Sequence, residues 1–181
     1  ATPTAGSAGV VSGVLLAVID RLKLTHQQQL DFLFTAGAFG LVIANNASIS
    51  GAEGGCQAEV GSASAMASAA LVAASGGTPD QSAQAVAITI KNMMGLICDP
   101  VAGLVEVPCV KRNALGSSQA FISADMALAG IRSVIPPDEV IHAMYQVGRQ
   151  MPQIFKETAE GGLAVTPTAQ RLSKEILEKQ K

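Results

Sequence analysis

Fifteen of the 19 residues from Gln57 to Ser75 are alanine, serine, glycine or valine. Side chains this small let neighbouring backbones approach closely, so a chain carrying such a segment favours tightly packed helices over an aromatic-rich sandwich. Gly54-Gly55 precedes the segment and Gly76-Gly77 follows it, so it reads as one helix between two breaks. Of the 181 residues, 49% are hydrophobic but only 3% are aromatic and none is Trp, so the core has to be built from Ala, Leu, Val, Ile and Met. Charged residues are 14%, low against a typical ~25%. Such a surface is expected to be covered in part by a partner or a larger assembly.

The remaining pattern is also helical. Val10, Val14, Leu15, Val18 and Leu22 recur at helical spacing within Gly9 to Leu22. Thr25 and Gln28 form a capping box that opens a helix to about Ala44. That helix is apolar nearly all round, so it is expected to be central and buried. Thr78-Pro79-Asp80-Gln81 opens another, to about Met94. The stretch from Leu96 to Asn113 is irregular. A long helix is expected from about Lys111 to Ser133, and another from Pro136-Pro137-Asp138 to about Met151. A tail helix reopens at Thr166-Pro167-Thr168, with an apolar stripe (Ala169, Leu172, Ile176, Leu177) and a favourable pair from Glu175 to Lys179. No stretch alternates with period two. The fold expected is all-α: a bundle of about seven helices with glycine-rich connecting loops.

Several classes of function are disfavoured. The net charge is −2 with no basic stripe, which argues against nucleic acid. No apolar run reaches the ~18 residues of a membrane span, and Gly9 to Ile19 lacks the basic leader of a signal peptide. Ser-His-Asp order, a phosphate loop and a dinucleotide fingerprint are all missing. An odd count of three cysteines suits a reduced, cytoplasmic setting.

Those cysteines each sit at a break. Cys56 follows Gly54-Gly55, Cys98 precedes Asp99-Pro100, and Cys109 follows Pro108. This suggests thiols aimed at one shared point. The intervals, 41 and 10 residues, match no zinc-ribbon or ferredoxin spacing. Free cysteine is also among the most buried residue types, and the same three could fill a core. If they are ligands, three thiolates on a 4Fe–4S cluster leave one iron open, which is the mark of Lewis-acid chemistry over electron transfer.

Other candidates surround them. Ser48 to Cys56 forms a glycine-rich loop whose backbone could come close to a ligand, with Ser50 a candidate substrate contact. Near the start, the hydroxyls of Thr4 and Ser7 and a helix N-terminus at about Ser7 could hold a carboxylate, or simply cap the helix. Lys111-Arg112-Asn113 could neutralise substrate or cluster charge, or begin a solvated helix. Glu53 and Glu59 flank Cys56 as bases or surface carboxylates; Glu53, Lys111 and Asn113 are the catalytic candidates. His26 and His142 read as structural.

The segments Ser50-Gly51-Ala52-Glu53-Gly54-Gly55-Cys56-Gln57-Ala58-Glu59-Val60-Gly61 and Cys98-Asp99-Pro100-Val101-Ala102-Gly103-Leu104-Val105-Glu106-Val107-Pro108-Cys109-Val110-Lys111-Arg112-Asn113 strongly resemble the α chain of bacterial iron–sulfur-dependent L-serine dehydratase. The opening Thr2 to Gly9 and the late Glu160 to Thr166 also look like that family. The resemblance covers nearly the whole chain and implies that residues 1–181 are part of an all-helical catalytic domain. It implies that Cys56, Cys98 and Cys109 hold a 4Fe–4S cluster, and that L-serine is deaminated to pyruvate and ammonia without pyridoxal phosphate. It further implies a substantial segment ahead of Ala1 and a β chain or β domain bearing a Ser-His-Thr motif, within a homo- or hetero-oligomer. Some single-chain members end in a cysteine that caps the open iron, whereas this chain ends Glu178-Lys179-Gln180-Lys181. The alternative is a non-catalytic iron–sulfur or metal-binding helical domain.

Overall fold

A computed structural model describes residues 5–179. Among them are eight α-helices and no strand: α1 (Ala8–Ile19), α2 (His26–Asn46), α3 (Gly51–Gly54), α4 (Cys56–Ala74), α5 (Pro79–Met93), α6 (Cys109–Leu128), α7 (Pro137–Gln150) and α8 (Pro167–Lys179). The all-α expectation holds; the additional element is α3, a single turn inside the glycine-rich loop.

Helix α4 is the centre of the molecule. Every residue from Cys56 to Val72 is buried, and α1, α2, α5, α6 and α7 all pack against it. Small side chains make this possible, and two of its buried hydroxyls, those of Ser64 and Ser68, find partners inside the bundle. Ser64 Oγ donates to the Val60 carbonyl at 2.7 Å, Ser68 Oγ to that of Ala65 at 2.8 Å, and Thr89 Oγ1 of α5 to Ser68 Oγ at 3.0 Å. At the crossing with α6, a Cβ on Gly116 would fall 2.6 Å from Ser64 Oγ and 2.8 Å from Val60 Cγ1. Glycine there sets how near the two helices can come.

The expectation that α2 is the central helix is overturned. Only Phe32, Ala36 and Ile43 of α2 are buried, while Phe34 is 73% and Leu41 63% exposed. An all-round apolar helix with large side chains cannot be enclosed by neighbours as closely as an alanine helix can. It therefore lies at the edge of the bundle with one face uncovered.

Local signals hold well. Thr25 and Thr78 each close a capping box, with Gln28 and Gln81, and Pro79 takes the first helical position. The boundaries of α6 differ: it starts at Cys109, two residues before the expected Lys111, and ends at Leu128 instead of Ser133. Gly130, at φ 85°, turns the chain out after it. The stripe on α8 is mostly uncovered, only Ala169 being buried. The expected Glu175–Lys179 pair ends on a side chain outside the described residues; Glu175 meets Arg171 at 3.6 Å.

Gly116→Val should lower stability by about 1–3 kcal/mol through overpacking at the α4–α6 crossing. Gly37→Ala, where an added Cβ meets nothing within 4 Å, should raise it by about 0.5–1 kcal/mol. Urea denaturation of the two variants checks both signs.

Candidate functional site

The three cysteines come from three places that only the fold brings together. Cys56 is the first residue of α4, Cys109 is the first residue of α6, and Cys98 lies in the connection between α5 and α6. All are free and buried, at 2%, 2% and 6% exposure for Cys56, Cys98 and Cys109. Cys56 and Cys98 share a small apolar cluster with Val60, Met93 and Leu96.

Each backbone is held by a specific device. Gly55, at φ 76°, turns the chain into α4, and a side chain there would strike the Leu96 carbonyl and Met151. The Gln57 N–H then donates to that carbonyl at 2.8 Å. The Gln57 side chain ties α4 to two other elements: Nε2 donates to Met144 O at 3.1 Å, and Oε1 accepts from Gly95 N at 2.8 Å. Cys98 pairs with the chain at Lys156 in an isolated parallel bridge, its N–H donating to Phe155 O at 2.8 Å and its carbonyl accepting from Glu157 N at 2.9 Å.

Arg112 clamps the arrangement. Its Nη1 donates to Asp99 Oδ1 at 2.6 Å and to the Ile97 carbonyl at 2.9 Å, and lies 3.9 Å from Cys56 Sγ. Asp99, 2% exposed, uses Oδ2 to accept from the Leu163 N–H at 2.7 Å. Gly162, at φ 59°, leaves room for that carboxylate, which any Cβ would strike. One ion pair thus joins α6, the Cys98 loop and the segment leading to α8.

The thiols are electrostatically linked. A hydrogen bond from the Cys98 thiol, and then the Arg112 charge, hold Cys56 below the ordinary thiol range against the opposing effect of burial. The N-terminus of α4 adds its partial positive charge. Cys98 is pushed up, chiefly because it donates that hydrogen bond and is buried. Cys109 is pushed up to about 11 by burial, and next by the Cys56 charge. A Cβ on Gly51 would lie 2.8 Å from Glu59 Oε2, 3.3 Å from Cys98 Sγ and 3.4 Å from Glu157 Oε2, so two carboxylates border the thiols.

Among the described residues, no three His, Cys, Asp or Glu side chains gather tightly enough for a single metal ion. A 4Fe–4S cluster makes a different demand, since each thiolate takes its own iron. Three buried thiols that feel one another's charge, one of them held below the ordinary thiol range beside a guanidinium, are a donor set that fits such a cluster.

The other candidates are scattered. Glu53 is exposed, accepts from Ser48 Oγ at 2.6 Å, and lines a cavity of about 340 Å³ with Tyr145, Arg149 and Lys156 that no cysteine lines. Lys111 is exposed on the outer side of α6, because Cys109 and Arg112 take the inner one. Asn113 lies one turn after Cys109 and donates to its carbonyl at 2.9 Å. Ser7 is fully buried and makes no side-chain cap; Ser50 is half-buried ahead of α3 and likewise caps nothing. Thr4 lies outside the described residues. Asp99 and Glu157 escaped the sequence reading, although an isolated acid before Pro100 in an apolar stretch was a usable signal.

Residues 1–164 match the family described as serine dehydratase alpha chain. This chain belongs to that family. The match takes in all three cysteines, Arg112 and Asp99, and stops before α8. The chain is 70% identical over 176 residues to a Bacillus subtilis protein named as a probable L-serine dehydratase alpha chain, covering 97% of this chain and 59% of that one. It is 49% identical to the L-serine dehydratase alpha chain of Peptoniphilus asaccharolyticus, covering 98% and 61%. It is 43% identical to L-serine dehydratase 1 of Escherichia coli, covering 90% and 36%. The chain therefore spans about three fifths or less of the length of these relatives.

Asp99→Ala should cost about 3 kcal/mol, because it strands the largely buried Arg112 charge. Chemical denaturation monitored by far-UV circular dichroism measures it.

Proposed function

We propose that this chain is the cluster-binding part of an L-serine dehydratase, which converts L-serine to pyruvate and ammonia, and that residues 1–181 belong to one catalytic domain. The observation that carries this reading is that Cys56, Cys98 and Cys109 are all buried and within reach of one another's charge, with Arg112 against Cys56, in a chain of the serine dehydratase alpha family. The three thiolates would hold a 4Fe–4S cluster. When bound, a cluster with three protein ligands supplies an open iron that polarises the substrate hydroxyl as a Lewis acid.

The chain's own residues prepare the pocket. Burial of the thiols excludes water, and Arg112 offsets their negative charge. Glu157 Oε2 borders the Cys98 thiol and is half-exposed, so it can take up the substrate's α-proton and return it to solvent. Glu53, bound to Ser48 on the wall of a different cavity, is not suited to that task. Ser7 and Ser50 remain candidates for the substrate carboxylate.

The enzyme would act in the cytoplasm with a β chain or β domain. No helix among the described residues is long and apolar enough to cross a membrane. Exposed Phe34 and Leu41 on α2, and Val110 and Leu115 on α6, leave apolar surface for such a partner.

Anaerobic reconstitution should load about four irons per chain with a broad absorbance near ~400 nm. Cys98→Ala should lose it, and iron retained at full stoichiometry by that variant would refute the ligand assignment. In the reconstituted enzyme with its β partner, Glu157→Gln should lower kcat for pyruvate formation by about 10²–10⁴-fold, with cluster content unchanged.

A further inference from the structure

Two buried side-chain atoms among the described residues have no hydrogen-bond partner, Ser62 Oγ and Asn113 Oδ1. The second belongs to the residue one helical turn after Cys109. Asn113 follows Cys109 by one helical turn, so the two share a face of α6. Its Nδ2 donates to the Cys109 carbonyl at 2.9 Å. The same nitrogen lies 2.8 Å from where a Cβ on Gly6 would be, so the amide sits in the seam between α6 and the 3-10 turn Ala5–Ser7.

The orientation of this amide is decided by chemistry. Turned over, Oδ1 would face the Cys109 carbonyl oxygen, acceptor against acceptor. Oδ1 is therefore held as a buried acceptor with nothing to accept from. Native structures seldom leave such a group unmet unless a water or ligand serves it.

We propose that Asn113 Oδ1 accepts a hydrogen bond from the α-ammonium group of the amino-acid substrate. This rests on the serine reading above. Of the polar groups of L-serine, the carboxylate carries no proton to donate, and the hydroxyl is the leaving group. The ammonium remains, a cation with three donors, and a carbonyl oxygen binds it without neutralising the thiolates' counter-charge at Arg112.

The experiment titrates the anaerobically loaded enzyme, with its β partner, against L-serine and against 3-hydroxypropanoate, which is serine without its amino group. The readout is the ligand-induced change in the cluster's spectrum. In Asn113→Ala the apparent Kd for L-serine should rise about 10-fold or more, while that for 3-hydroxypropanoate stays within about 2-fold. Asn113→Ser provides a second variant, because a serine hydroxyl can donate to the carbonyl one turn back and so preserves the tie to Cys109, while its oxygen sits on the shorter side chain and no longer reaches the position of Oδ1. It should bind L-serine as weakly as the alanine variant. Equal weakening of both ligands, or recovery of serine binding in Asn113→Ser, overturns the assignment in favour of a purely structural amide. Unchanged serine binding in Asn113→Ala overturns it in favour of a buried water. A wild-type enzyme whose spectrum ignores L-serine overturns the serine reading and this assignment together, whereas the other outcomes leave that reading standing.

Discussion

Enclosing a helix on every side requires neighbours close enough to leave no gaps, and α4 meets that requirement by carrying only four residues larger than valine: Gln57, Glu59, Met66 and Leu71. Alanine and glycine contribute little apolar area each, so stability has to come from many close backbone approaches spread along the helix. The hydroxyls along it would be a liability in such a place if they lacked partners. Ser64 and Ser68 return theirs to carbonyls of their own helix, and only Ser62 Oγ is left without a partner among the described residues. Because α4 is central, its first residue is also held deep within the protein. Cys56 gains burial, a helix N-terminus and a fixed position from one arrangement.

The pocket around Cys56 is assembled from connections. Cys98 belongs to no helix and owes its place to a two-bond bridge with the chain at Lys156 and to the ion pair of the next residue, Asp99, with Arg112. A flexible connection held by neutral turns alone would leave a thiol free to wander. A guanidinium that reaches a carboxylate, a carbonyl and a thiol at once fixes three segments with one side chain. It also brings a positive charge to where thiolates gather. The same residue serves folding and chemistry, pairing inside the protein with the buried carboxylate of Asp99.

Elsewhere the molecule leaves apolar surface open. Phe34 and Leu41 on α2 and Leu177 on α8 face outward. This follows from a chain with 49% hydrophobic and only 14% charged residues, which has more apolar side chains than its core encloses.

The helices and their starts were legible in the residues themselves, because capping boxes and Pro79 act within one turn and periodicity within a few. The cysteine motifs likewise carried the family, and the glycines and prolines beside them marked real boundaries at Cys56 and Cys109. Which helix would be central was not legible in the same way. Apolarity suggested α2, but closeness of packing depends on volume matched between helices far apart in sequence, at points such as Gly116 against Ser64. Glu157 beside Cys98, the pairing of Asp99 with Arg112 and the unmet oxygen of Asn113 were not legible for the same reason, although Asp99 itself stood out as an isolated acid before Pro100. Sequence by itself determined an all-helical chain with three thiols at helix breaks. Only the tertiary structure decided which helix lies at the centre and which side chains face those thiols, because long-range packing and a single ion pair, not local preference, bring those groups together.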